Sequence, residues 1–346
     1  MSWTTLLLQV VLPLSLLAWL AWCPAKGWLA SGLQWLSVAA VLLALSRVAL
    51  WTMPPFWGPS AYGLTLLLIA ITQVVRRGGF GRGLWHGLWH GLWHTSAANS
   101  VVILLVSGLG LLSGYMAYQA LAGRVLPEGE VVDIAAPFPP GHYLVAHGGA
   151  TEMVNVHLKT LNANIERFRP WRGQSRALDV FRITPLGWHK QGWQPTDPAQ
   201  YLTFATPVLA PCQGQVAQVV DRHPDMPVPE MDRDHLAGNY VALDCGDFFV
   251  ILAHLSPGSI SVAVGDRVAV GDPLGQMGNS GNSSEPHLHL HAQRGLPADA
   301  ALGGEPLWLT INGRFLTRND RVCVLGVGDR ATGSQRGPTR CLDNGG

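Results

Sequence analysis

Residues 278–291 read Gly-Asn-Ser-Gly-Asn-Ser-Ser-Glu-Pro-His-Leu-His-Leu-His, which sets His287, His289 and His291 at every second position behind a turn-forming run. In an extended strand successive side chains point to opposite faces, so the three imidazoles share one face. A neutral imidazole is the commonest protein ligand for zinc, and also the side chain best suited to carry a proton near neutral pH. Histidines on one strand face can therefore divide the work between holding a metal and moving a proton.

The elements that must position these groups lie upstream. Val250-Ile-Leu-Ala-His254-Leu is an apolar strand ending in a histidine. Val264-Gly-Asp-Arg-Val and Val270-Gly-Asp-Pro-Leu-Gly-Gln-Met-Gly read as short strands punctuated by Gly-Asp turns. Earlier come Thr206-Pro-Val-Leu-Ala-Pro, Gly214-Gln-Val and Gly238-Asn-Tyr-Val, and a second apolar strand, Ala177-Leu-Asp179-Val-Phe-Arg-Ile, carries a carboxylate. This ordered series, over residues from about 145 to 295, resembles the zinc endopeptidases of the lysostaphin/LytM type, peptidase family M23.

The resemblance implies an all-β domain built on an antiparallel sheet, with a catalytic zinc. It makes His289 a metal ligand and His287 and His254 the pair that works on the attacking water and the oxyanion. Asp179 becomes the carboxylate ligand. The family pattern has a histidine four residues before that aspartate, and here Ser175 stands there. A catalytic zinc uses three protein ligands plus water, so another histidine must complete the set. His157, after Gly148-Gly149, resembles a branch of the family in which a Gly-Gly…Asn-x-His segment precedes the Ala-Leu-Asp strand, and it is the expected third ligand. His189 and His223, in Pro-, Gly- and Asp-rich loops, are read as surface residues. His291 either orients a ligand or is a plain strand residue. The competing reading of Ser175 is a catalytically inactive LytM-like module that binds or regulates at the cell wall, or on a partner hydrolase.

The first 124 residues have a different character. The chain has no acidic residue before Glu128, and apolar runs occupy about 4–22, 28–51, 60–75 and 99–121. Each approaches the roughly 20 residues needed to cross a bilayer, so a multi-pass α-helical membrane region of about four spans is expected. Lys26 lies in the loop after the first span and Arg76, Arg77 and Arg82 in the loop after the third. The positive-inside rule puts both loops in the cytoplasm and the C-terminal domain on the extracytoplasmic (periplasmic) side of the plasma membrane. Between the third and fourth spans, Gly83-Leu-Trp-His is repeated three times through His94, which reads as an interfacial loop.

Expected limits are a membrane region over 1–124, a linker over 125–147, the peptidase-like domain over 148–318 and a C-terminal tail over 319–346. Leu309–Leu316 is read as an edge strand, and 221–236 as a long loop near the cleft rim. With 346 residues and a formal charge of +1, nothing points to a nucleic-acid partner. The implied partners are the lipid bilayer and a peptidoglycan peptide or other extracytoplasmic peptide. Cys212, Cys245, Cys323 and Cys341 form an even set in an outward-facing domain, which suits disulfides; sequence leaves their pairing open.

Overall fold

The structure is a computed structural model and describes residues 3–25, 28–52, 54–76, 97–298, 300–325 and 340–342. The chain divides into two compact units, 1–121 and 122–346.

In the first unit the helices are α1 (Trp3–Trp22), α2 (Trp28–Val48), α3 (Gly58–Arg76) and α4 (Ala97–Ala122). All four are long and apolar enough to cross a membrane. Helix α1 loosens to a π-helical stretch at Leu7–Val11, immediately ahead of Pro13. Proline lacks an amide hydrogen and crowds the preceding turn, so a wider turn relieves it. The few polar side chains answer backbone groups: Gln34 bonds Cys23 O and Ala25 N across the α1–α2 turn, and Gln73 donates to Leu20 O. At Gly110 a Cβ would fall 2.8 Å from Ser37 Cα, the kind of small-residue contact that lets apolar helices approach. The Gly-Leu-Trp-His repeat lies outside the described residues.

The second unit is a β-sheet domain. Its strands are β1 (Val131–Ile134), β2 (Gly141–His147), β3 (Leu178–Ile183), β4 (Pro207–Leu209), β5 (Gly214–Val220), β6 (Asn239–Asp244), β7 (Phe249–Leu255), β8 (Arg267–Val268), β9 (Pro273–Gln276), β10 (Leu288–Arg294), β11 (Glu305–Ile311), β12 (Arg321–Val324) and β13 (Arg340–Leu342). The main path runs β13-β12-β2-β3-β10-β7-β6-β5-β8. Its pairs are antiparallel except β12 with β13. Strand β10 is the centre. One edge pairs with β7, while the other pairs with β3 through Leu288–Leu290 and with β11 through Ala292–Arg294. The core face is formed by fully buried Val250, Leu252, Leu288, Leu290, Val241 and Leu243. Cys212 and Cys245 form a disulfide, with Cα atoms 5.9 Å apart. Cys323 is also disulfide-bonded and stands opposite Cys341 in register.

The sheet reaches beyond the expected domain limits. The segment read as a linker supplies β1 and β2, and the segment read as a tail supplies β12 and β13. Phe138 and Tyr143, both fully buried with ring centres 4.2 Å apart, anchor the former, so its Pro-Phe-Pro-Pro run packs into the core ahead of β2. Strand β11 is likewise not an edge, because it pairs with both β1 and β10.

Candidate metal centre

Two adjacent central strands bring the first pair of candidate groups together. The β3–β10 register sets Asp179 directly opposite His289, and His289 Nδ1 lies 2.9 Å from Asp179 Oδ1. Neither strand nor sheet supplies His157. It sits 22 positions before Asp179, on a 3-10 turn, Val156–Leu161, capped by Asn155. The Asn155 side chain accepts from His157 N (3.2 Å) and donates to Gly149 O (3.2 Å) and Ala177 O (3.0 Å). One buried amide thus ties the Gly148-Gly149 turn, the start of β3 and the histidine turn to each other. Gly149 has φ of 104°, a conformation that other residues rarely adopt. The result brings His157 Nε2 to 2.9 Å from Asp179 Oδ2.

Ser175 is fully buried, and its hydroxyl donates to Arg172 O and accepts from Thr160 Oγ1 at 3.1 Å. Thr160 is within 2.8 Å of the His157 carbonyl. Ser175 therefore braces the turn that carries His157 and does not point a free donor at Asp179.

One donor atom from each of His157, Asp179 and His289 lies within 4.8 Å of the others. Zinc bound tetrahedrally at about 2.0–2.1 Å holds its ligand atoms roughly 3.3 Å apart. The two imidazole–carboxylate contacts, at 2.9 Å, are hydrogen bonds in which a proton stands where an ion would. Exchanging each shared proton for the ion requires these pairs to open by only about 0.4 Å. Two imidazoles and one carboxylate are also the donor set zinc accepts. The residues present fit the group.

His254 and His287 adjoin this cluster, with ring centres 4.8 Å apart, and His254 is 5.6 Å from His289 by the same measure. His254 occupies a β-bulge: Leu255 pairs with Asn239 and Ala253 with Tyr240, leaving His254 as the extra residue. Its φ is 62°, left-handed for a non-glycine residue, and its amide bonds Ala237 O. A bulge of this kind re-aims the side chain it carries. Both rings use the same nitrogen for orientation. His254 Nδ1–H donates to Ser280 O at 2.9 Å, and His287 Nδ1–H to Glu285 O at 2.8 Å. Each neutral ring then presents Nε2 as a lone pair. His287 Nε2 is 3.5 Å from Asp179 Oδ1.

Electrostatics follow from burial and one carboxylate. Burial opposes ionisation of Asp179, yet the charges of His157 and His287 and their hydrogen bonds hold its carboxyl well below the ordinary range. Burial depresses His254 well below its ordinary value, with His287 and His289 adding to the effect. Burial works the same way on His287, but Asp179 outweighs it and the ring titrates above its ordinary value. His289 is lowered by burial, partly offset by Asp179.

Several supporting groups were not legible in the sequence. His147, at the end of β2, is opposite Asp179 in register, and burial lowers it to about 3. Its Nδ1 faces Val156 N at 3.4 Å and the Arg318 guanidinium at 3.2 Å, and Arg318 Nε donates to Ala146 O. The only sequence signal was a histidine directly before Gly148-Gly149. Fully buried His291 places Nδ1 3.2 Å from His289 Nε2 and Nε2 3.2 Å from Gln293 Oε1, so it orients His289. His189 is not a surface residue. It is 2% exposed, bonds Glu285 at 3.0 Å and stacks near Phe181 and Tyr201. His223 is 9% exposed. Neither histidine joins the cluster around Asp179.

A family model described as peptidase family M23 matches residues 201–300. No curated protein matches the chain. Among solved structures, a zinc-containing peptidase from Vibrio cholerae is 26% identical, over 26% of this chain and 24% of that one, with a TM-score of 0.21. The catalytic domain of lysostaphin from Staphylococcus simulans is 20% identical, over 36% of this chain and 71% of that one, with a TM-score of 0.24. The chain spans about a quarter of the length of the first of these. Residues 201–300 take in β4 to β10, hence His254, His287 and His289. Over residues 201–300 the β-sheet unit is thus similar to peptidase family M23.

Proposed function

We propose that the chain is a membrane-anchored, extracytoplasmic zinc endopeptidase that hydrolyses peptide bonds, with peptidoglycan cross-links as its substrate. The observation that carries this reading is the convergence of His157, Asp179 and His289, with His254 and His287 alongside, in a domain matched to a peptidase family. His157, Asp179 and His289 are the residues that would hold a zinc ion. When bound, the ion lowers the pKa of a water toward about 7 and polarises the scissile carbonyl.

The chain's own residues do the rest. His287 takes the water's proton at Nε2, while its Nδ1–H stays on Glu285 O and keeps the ring aligned. The imidazolium so formed sits beside the Asp179 carboxylate, 3.5 Å away, and returns the proton to the departing amine. His254, fixed by its Nδ1–H bond to Ser280 O, keeps Nε2 as a lone pair beside His287 and would accept a hydrogen bond from the attacking water, aligning it for His287. His291 fixes the ring plane of His289. No serine or cysteine nucleophile is needed.

Four apolar helices provide the anchor. Lys26, which follows the first apolar run in sequence, and Arg76, Arg77 and Arg82, which follow the third, put those connections in the cytoplasm and the β domain on the opposite side, where cell-wall peptide is found. Ser175 in place of the family's histidine favours the rival reading, a module that binds peptide without cutting it. The test is the full-length protein in detergent, zinc-loaded, incubated with cross-linked peptidoglycan peptides and with glycine-rich peptides while new amino termini are measured. Cleavage lost in His287→Ala is the expected result. If neither substrate is cut but peptide still binds, the module reading replaces the enzyme.

A further inference from the structure

The loop over 221–238, between β5 and β6, carries a second group of metal-type donors that shares no residue with the first. His223, Asp232 and His235 each offer one atom within 4.8 Å of the others. Asp232 Oδ2 is 2.8 Å from His235 Nδ1, and the His223 and His235 rings are 4.2 Å apart with planes at 34°. An ordinary carboxylate–histidine pair would account for Asp232 and His235. It does not account for His223, which is 9% exposed and whose ring is turned to that of His235, with a ring nitrogen in reach of both other donors. Two imidazoles and a carboxylate converging in this way are the donor set of a transition-metal site. We propose that His223, Asp232 and His235 form a second site for a divalent transition metal of the zinc class, which ties the two ends of this loop together.

The frame is built for it. Buried Asn239 accepts from the amides of Arg222 and His223, both at 2.8 Å, and donates to His223 O at 2.7 Å. Asp232 Oδ1 receives the amides of Asp234 and His235, and the Asp232 amide bonds Gly281 O at 2.9 Å. The three donor positions are therefore held by the backbone before any ion arrives. Exposed His235 and a cavity of about 240 Å³ walled by His223, His235, Trp171, Tyr240 and Leu302 provide access. Three protein donors leave a fourth position for water.

The consequence reaches the first site. The same loop straps down the 280–282 turn: Asn282 N bonds Leu236 O at 3.1 Å, and Asn239 N bonds Ser280 Oγ at 3.0 Å. Ser280 O is the acceptor that orients His254. An ion at the rim stiffens this strap.

The experiment is zinc titration of the full-length protein in detergent after chelator stripping, with bound metal measured per chain. Two zinc ions are expected in the unaltered protein, one in H223N/H235N and one in H157A/H289A. Trypsin gives a readout that does not depend on stoichiometry, because exposed Arg233 lies between Asp232 and His235. Zinc slows cleavage there about tenfold or more in the unaltered protein and leaves Asp232→Asn unprotected. A single zinc that disappears in H157A/H289A, with Arg233 cut equally with and without zinc, overturns the second site and leaves the proposed peptidase intact. A single zinc that survives H157A/H289A and disappears in H223N/H235N supports this site and removes the proposed catalytic one.

Discussion

Replacing His157 by alanine removes one of three donors around Asp179 and leaves the sheet untouched, because His157 sits on a 3-10 turn and not on a strand. Structural zinc sites with four ligands bind with roughly 10–16 kcal/mol, or about 3 kcal/mol per ligand. Loss of one donor then weakens zinc binding by about 100- to 1,000-fold. The vacated place is 2.9 Å from Asp179 Oδ2, and the next imidazole on that side, His147, already faces Arg318 and the Val156 amide, so no neighbour substitutes. The assay is competition against a chromophoric chelator with full-length protein carrying H223N/H235N, so that one site is read. Ser175→Ala is the control. Its hydroxyl braces the turn, so it should lower thermal stability by about 1 kcal/mol while zinc affinity stays within about threefold. Zinc affinity in His157→Ala within threefold of the parent would refute the ligand assignment, and a collapse in Ser175→Ala alone would move the missing ligand to that position.

Three further outcomes follow from the geometry. Asn155→Ala leaves Gly149 O, Ala177 O and the His157 amide without their partner, so stability should fall by about 2–4 kcal/mol and zinc affinity with it; unchanged affinity would separate the cap from the site. Reduction-proof loss of the Cys212–Cys245 disulfide by Cys212→Ala and Cys245→Ala opens a loop of sequence separation 33, which costs about 3–4 kcal/mol in the chain-entropy picture and is read as a lower melting temperature under non-reducing conditions only. Glu285 titrates at about 2 against an ordinary 4.5, since His189 and Lys190 outweigh the burial that opposes its charge. His189 is itself pushed down by burial, so at neutral pH it is a neutral hydrogen-bond donor and Lys190, at 2.9 Å, is the charge partner. A depressed carboxyl stabilises the fold above its unfolded value and loses that contribution as pH falls toward its folded one. The difference in stability between the unaltered protein and Glu285→Gln, at most about 3 kcal/mol and read as a gap in melting temperature, should therefore be constant above about pH 5 and shrink between pH 5 and 2; a gap that does not change over that window excludes the pair as its source.

What could be read from sequence was local. Alternation along a strand sets His287, His289 and His291 on one face whatever the sheet order, and an apolar run of about 20 residues is long enough to cross a membrane as a helix. Turn residues at Gly-Asp and Gly-Asn-Ser marked strand ends, and the strands carrying Asp179 and His254 are where their apolar patterns put them. The pairing of strands is a property of residues far apart in the chain, and it decided the remainder. Only the meeting of β3 with β10 sets Asp179 against His289, 110 positions later. His157 reaches them because a buried asparagine joins three segments, a relation no spacing rule encodes. The bulge that aims His254 depends on a register shift against β6. Segments read as linker and tail became strands because β2 pairs with β3 on one side and with β12 on the other, a gain visible only once both edges are present. His189 and His223 looked like loop residues for the same reason: their types and flanks are those of a surface, and their burial comes from Glu285 in one case and from the partner histidine and Asn239 in the other. Residue type and period determine which groups can do chemistry; the long-range hydrogen bonds of the sheet determine which of them meet.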